Sequence, residues 1–146
     1  MSWNCRGLRG KIPRLANFVS DFDLICLQET LLRCHTPFSL SGFACIRNDI
    51  STCHQRGLCI LIRNSIDFQV LNFSHIQHHS IEDQGIKIMV DQGPLYIINI
   101  YRHSKQIHPK KFFVTYFNPL LIILILFSWE TLTPIILHGV ARRLIE

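Results

Sequence analysis

The order of apolar and polar residues along this chain predicts one early helix followed by a series of short strands. Within residues 11–20, Ile12, Leu15, Ala16 and Val19 share a helical face, and Pro13 falls where a first turn tolerates it. Asp21-Phe22-Asp23 closes that segment. Leu24-Ile25-Cys26-Leu27 follows as an apolar run ending in Gln28-Glu29-Thr30, which predicts a buried strand. Residues 38–46 are mixed and predict an outer strand, whereas residues 47–55 are polar and loop-like. Residues 57–62 are a second apolar run, and Ile66, Phe68, Val70 and Leu71 suggest a further strand. Residues 86–90 and 95–100 flank Asp91-Gln92-Gly93-Pro94, whose residue types suit a turn, so the pair predicts a hairpin. Residues 109–121 could hold a helix, weakened by Pro119. The whole pattern predicts an α+β protein built on antiparallel sheets, with no internal repeat.

Composition narrows this picture only slightly. The 146 residues are 48% hydrophobic and 17% charged, which is the make-up of a packed domain and not of a disordered chain. The apolar run 120–127 is too short to cross a bilayer, for which about 20 residues are needed. A buried strand is the expected reading of it, and no membrane partner is expected. The net charge of +5 suits a polyanionic partner without requiring one. Six cysteines show no CxxC pair and no repeated spacing, and the first residues do not read as a signal peptide. Free thiols in a reducing, intracellular compartment are therefore expected. Cys34-His35 and Cys53-His54 lack the second matched pair that a zinc site needs.

Three short pieces carry more information. Trp3-Asn4-Cys5-Arg6-Gly7-Leu8 comes first, Leu24-Ile25-Cys26-Leu27-Gln28-Glu29-Thr30 follows, and Asn99-Ile100-Tyr101-Arg102 comes after the predicted hairpin. Taken singly, each has a plain structural explanation. An Asn after Trp is ordinarily a strand-end or turn residue, a Glu after an apolar strand a solvated end, and a terminal Tyr a packing residue. In this order and at predicted strand ends, the three together resemble the endonuclease/exonuclease/phosphatase superfamily, which includes apurinic endonucleases and deoxyribonuclease I. The resemblance is strongest to the endonuclease domains of jockey-like non-LTR retrotransposons. Arg56-Gly57 before an apolar strand is similar too, and the similarity covers roughly residues 2–117.

The resemblance implies a partial four-layer α/β/β/α sandwich of the deoxyribonuclease I-like type, with Mg²⁺ as cofactor, DNA as partner and no small-molecule cofactor. It assigns Asn4 and Glu29 to the metal side of the site, and Glu29 and Tyr101 to catalysis. Cutting a phosphodiester calls for a cation on the phosphate oxygens and an activated water, and Mg²⁺ takes few protein carboxylates. A tyrosine hydroxyl can donate a hydrogen bond to charge developing on the phosphate. The intact element would act in the nucleus, fused to an RNA-directed DNA polymerase.

The chain departs from the family after residue 127. A G-D-F-N segment and a later Asp-His pair are expected, and neither occurs in these residues. Reading across the codon boundaries from Trp129, with permitted codon choices, gives G-D-F-N-S-H-H-P-A-W-G, which suits the family. A frameshift is therefore expected. Residues 1–127 would be the N-terminal part of the endonuclease domain, and residues 128–146 an out-of-frame tail. The second half of the domain would be largely missing and the chain inactive. The alternative is a non-catalytic relic reading frame with at most weak nucleic-acid binding.

Overall fold

The computed structural model describes residues 1–50, 56–74, 81–91 and 93–102, together with the course of a strand at 122–128. The described chain forms two compact units, Met1–Asp67 and Phe68–Glu146. The predicted helix over 109–121 lies outside the described residues, as do the tail beyond 128 and Cys53-His54.

In the first unit, strand β1 spans Ser2–Asn4 and is followed by a 3-10 turn at Arg9–Lys11. Helix α1 then covers Ile12–Phe18, with Pro13 in its first turn, and a second 3-10 turn runs over Val19–Asp21. Strand β2 is Leu24–Gln28, β3 is Phe43–Asn48 and β4 is Leu58–Arg63. The sheet order is β1-β2-β4-β3. The helical segment works as a crossover, so β1 and β2 run parallel, which a tight turn could not allow. The remaining pairs are antiparallel. The sheet is therefore mixed, a correction to the expectation of antiparallel sheets. Residues 47 and 48, read as loop, belong to β3 because they pair with Cys59 and Leu58.

The core of this unit is built on one sheet face. Ile25 and Leu27 of β2 and Cys59 and Leu61 of β4 cluster with Leu15 of α1. Trp3 and Phe18 pack against that cluster edge to face, with ring centroids 5.8 Å apart. Residues of the opposite face, Cys26, Ile60 and Ile62, are equally inaccessible, which is why β2 and β4 read as continuous apolar runs and not as alternation. Arg63 fastens the helical segment to the sheet. Its guanidinium donates to the Ser20 carbonyl at 2.7 Å, reaches Asp23 at 3.5 Å and lies 4.9 Å from the Phe43 ring centre.

In the second unit, β5 is Phe68–Val70, β6 is Ile81–Val90, β7 is Gly93–Arg102 and β8 is Ile122–Ser128, in the order β5-β6-β7-β8. The predicted hairpin is present and longer than its apolar alternation suggested, with Ile81 opposite Arg102 and Val90 opposite Gly93. Gly93 takes φ +118, a conformation suited to glycine at the close of the turn. Pro94 sits before the β8 register begins at Tyr96, so its missing N–H interrupts no pairing there. The run 120–127 does contain a strand, β8, which is parallel to β7. No helix among the described residues is long and apolar enough to cross a membrane.

Candidate active site

Asn4 ends β1 and Glu29 follows β2. Because the two strands are parallel neighbours with Asn4 opposite Gln28, their ends bring both side chains to one place. The Asn4 amide nitrogen donates to Glu29 Oε1 at 3.1 Å, and Asn4 Oδ1 accepts the Arg6 N–H at 3.2 Å. Both side chains are partly exposed, whereas the residues beneath them, Cys5, Gln28 and Thr30, are buried. The pair is thus open to solvent, with buried residues next to it in sequence.

Glu29 has a left-handed backbone, with φ +50, and Leu31 has φ +53. Neither is glycine, and such a conformation costs about 1–2 kcal/mol for an ordinary residue. Surrounding bonds hold it in place. The Glu29 and Thr30 carbonyls accept the N–H groups of Gly7 and Leu8, each at 2.8 Å. From the other side, the Thr30 and Leu31 N–H groups donate to the carbonyls of Gly57 and Arg56 at 3.0 and 3.1 Å. Sequence reasoning placed Glu29 as a strand-end residue but missed this conformation, since glutamate and leucine, unlike glycine, do not mark a positive φ.

The loop after Asn4 is fixed by a cation. The Lys11 ammonium donates to the Cys5 carbonyl and lies 6.0 Å from the Trp3 ring centre. The Cys5 thiol donates to the Gln28 carbonyl at 3.1 Å. Burial pushes its pKa up to about 12, with Lys11 opposing, so it is a neutral packing group and not a nucleophile. Burial likewise raises Cys26 to about 12 and Cys59 well above the usual thiol value. The described cysteines are all free, as expected. Cys34 Sγ lies 3.9 Å from His35 Nδ1, but no group of three or more metal-ligating side chains occurs among the described residues.

Tyr101 stands in the second unit, next to the end of β7 and opposite Glu82 on β6. Both are almost fully buried, as are the next pair on that face, Gln84 and Asn99. The apolar hairpin therefore has a polar end. Reading the strand as starting at residue 86 missed it, although Glu82, Gln84 and Ile86 already alternate in the sequence.

A sequence model of the endonuclease/exonuclease/phosphatase family matches residues 1–125. The chain belongs to this family. Among solved structures, this family member is similar to NExo, a 3′ phosphatase from Neisseria, bound to a product DNA hairpin. That match has 19% identity and a TM-score of 0.47, covering 70% of this chain and 39% of the other. A structure of the 3′-5′ exonuclease NExo from Neisseria meningitidis is similar at 19% identity and a TM-score of 0.46, with coverages of 70% and 40%. The chain spans about two fifths of the length of these structures. No curated protein matches the sequence.

Proposed function

We propose that this chain is the metal-holding part of a Mg²⁺-dependent DNA endonuclease domain of the kind carried by jockey-like non-LTR retrotransposons. The observation that carries this reading is the Asn4–Glu29 pair at adjacent strand ends, with Glu29 held left-handed by bonds from both flanks. One carboxylate and one amide oxygen suit Mg²⁺, which keeps several of its waters and needs few protein ligands. Glu29 would supply the carboxylate. Asn4 Oδ1 accepts a single N–H here and has a second lone pair to offer. When bound, the cation would neutralise phosphate charge and lower the pKa of a water.

In the same proposal Tyr101 is catalytic by family resemblance, with a hydroxyl able to donate a hydrogen bond to developing charge. The four-layer sandwich and a nuclear site of action for the intact element belong to the same proposal. So does the reading of residues 128–146 as an out-of-frame tail, which is supported by a family match that stops at residue 125. On this reading the chain alone does not cut DNA, because groups that act as a unit lose their effect together.

The nucleotide sequence after codon 127 and a nicking assay test the proposal. The shifted frame should encode G-D-F-N and continue into the rest of the domain, with a reverse transcriptase frame beyond it. A chain extended in that frame should nick supercoiled plasmid with Mg²⁺, and Glu29→Ala should lower the rate by about a thousandfold or more. A stop codon in the shifted frame, or nicking indifferent to Glu29→Ala, refutes it. No nicking from the extended chain would leave the relic reading.

A further inference from the structure

We infer that Gly57, at the start of β4, is a positioning residue for the Glu29 carboxylate, acting through Thr30. The inference rests on the metal-holding reading of Glu29. Thr30 is 1% exposed and lies between the two left-handed residues Glu29 and Leu31. A backbone bent twice within three residues springs back unless its surroundings over-determine it. The bonds from Gly7 and Leu8 hold one flank of this segment, and Gly57, beside Arg56, holds the other.

Gly57 acts in two ways. Its carbonyl accepts the Thr30 N–H at 3.0 Å, which fixes the peptide that joins Glu29 to Thr30. Its lack of a side chain lets the backbone come close enough to do so. A Cβ at this position would lie 2.5 Å from Thr30 Oγ1, nearer than any real contact allows. Gly57 also has φ +110, which side-chain-bearing residues rarely adopt. The obstacle is the hydroxyl of a buried threonine, which also accepts the Leu32 N–H at 3.5 Å. A methyl group at residue 57 therefore pushes Thr30 toward the Gly7–Leu8 loop and turns the Glu29 peptide with it. Leu8 is itself fully buried, so that loop cannot give way freely. The carboxylate would move relative to Asn4, and the shared cation would lose a ligand.

The test is Mn²⁺ binding to the full chain, read by the electron paramagnetic resonance of free Mn²⁺. Melting curves run alongside keep every measurement on folded protein. The parent should bind Mn²⁺, and Glu29→Gln should weaken binding at least tenfold. Gly57→Ala should weaken it at least tenfold while the protein stays folded at the assay temperature. Thr30→Ala removes the side chain that Gly57 backs and leaves Gly57 itself unchanged; it should weaken binding at least threefold. If Gly57→Ala does not fold, Thr30→Ala decides. A change of less than threefold in the deciding variant, with Glu29→Gln still impaired, overturns the role of Gly57 and leaves the metal reading standing. Parent-like binding by Glu29→Gln overturns the metal reading, and this inference with it.

Discussion

Replacing Asn4 by aspartate puts a second carboxylate where an amide now donates to Glu29. The Asn4 nitrogen lies 3.1 Å from Glu29 Oε1, so the variant exchanges a hydrogen bond for two like charges at about that distance. At 3.1 Å the repulsion is about 1.3 kcal/mol at the dielectric constant of water and about 5 kcal/mol at an effective value near 20. Both side chains are partly exposed, so about 2–3 kcal/mol is expected, including the lost hydrogen bond. The cost has a definite pH dependence. Two carboxyls this close cannot both ionise freely, so one folded-state pKa rises above its unfolded value. Stability relative to the parent is then fully present below the unfolded carboxyl range near pH 4, and is lost as pH rises through the raised folded value. A divalent cation should reverse the effect, since it binds the folded dicarboxylate and not the unfolded chain. Urea denaturation of parent and Asn4→Asp, at pH 4 and pH 8 and with and without Mg²⁺, measures all three. A penalty equal at both pH values would refute the geometry of the pair, and one that Mg²⁺ leaves untouched would refute the metal-holding reading.

Two further predictions concern the framework. At Gly85 on β6 a Cβ would lie 2.9 Å from the Phe73 ring and 3.1 Å from the Ile97 carbonyl oxygen, so Gly85→Ala should destabilise the second unit by about 1–3 kcal/mol. Adding Phe73→Leu should recover part of that loss in the same urea titration, and no recovery would show that the ring is not the obstacle. Burial raises the Cys5 and Cys26 thiols to about 12, so they stay neutral in the folded protein while unfolded thiols ionise near pH 8.5. Stability is therefore intact below about pH 8.5 and falls as pH rises toward 12, with each thiol contributing up to about 1.4 kcal/mol per pH unit. Cys26→Ala should flatten that alkaline decline, and an unchanged slope would count against the burial of this thiol.

What could be read in the sequence was local. The apolar runs became β2 and β4 because an uninterrupted stretch such as Leu58-Cys59-Ile60-Leu61-Ile62 has no polar face to show to water. The helix appeared over Ile12–Phe18, with Leu15 buried and Ile12, Phe18 and Val19 packed beside it, although Ala16 of the predicted face is exposed; the hairpin joins the two predicted strands. Asn4, Glu29 and Tyr101 could be named as candidates because the three pieces that hold them resemble a known family, each piece ending a predicted strand. Their order along the chain also pointed to the family that residues 1–125 match.

Tertiary structure decided the rest. Strand direction depends on how the chain returns, so the parallel β1–β2 and β7–β8 pairs and the mixed sheets could not be read from periodicity. The alternation of Glu82, Gln84 and Ile86 is in the sequence, but only the register sets Glu82 opposite Tyr101. The candidate site shows the same division. Residue types supplied a carboxylate and an amide at two strand ends. Only the fold sets them 3.1 Å apart and holds Glu29 in a conformation that a free chain would abandon. It does so with backbone bonds from segments that come before and after Glu29 in sequence, 7–8 and 56–57. Identity along a chain can mark which side chains could do chemistry, but their relative placement is a long-range property, fixed when distant segments pack.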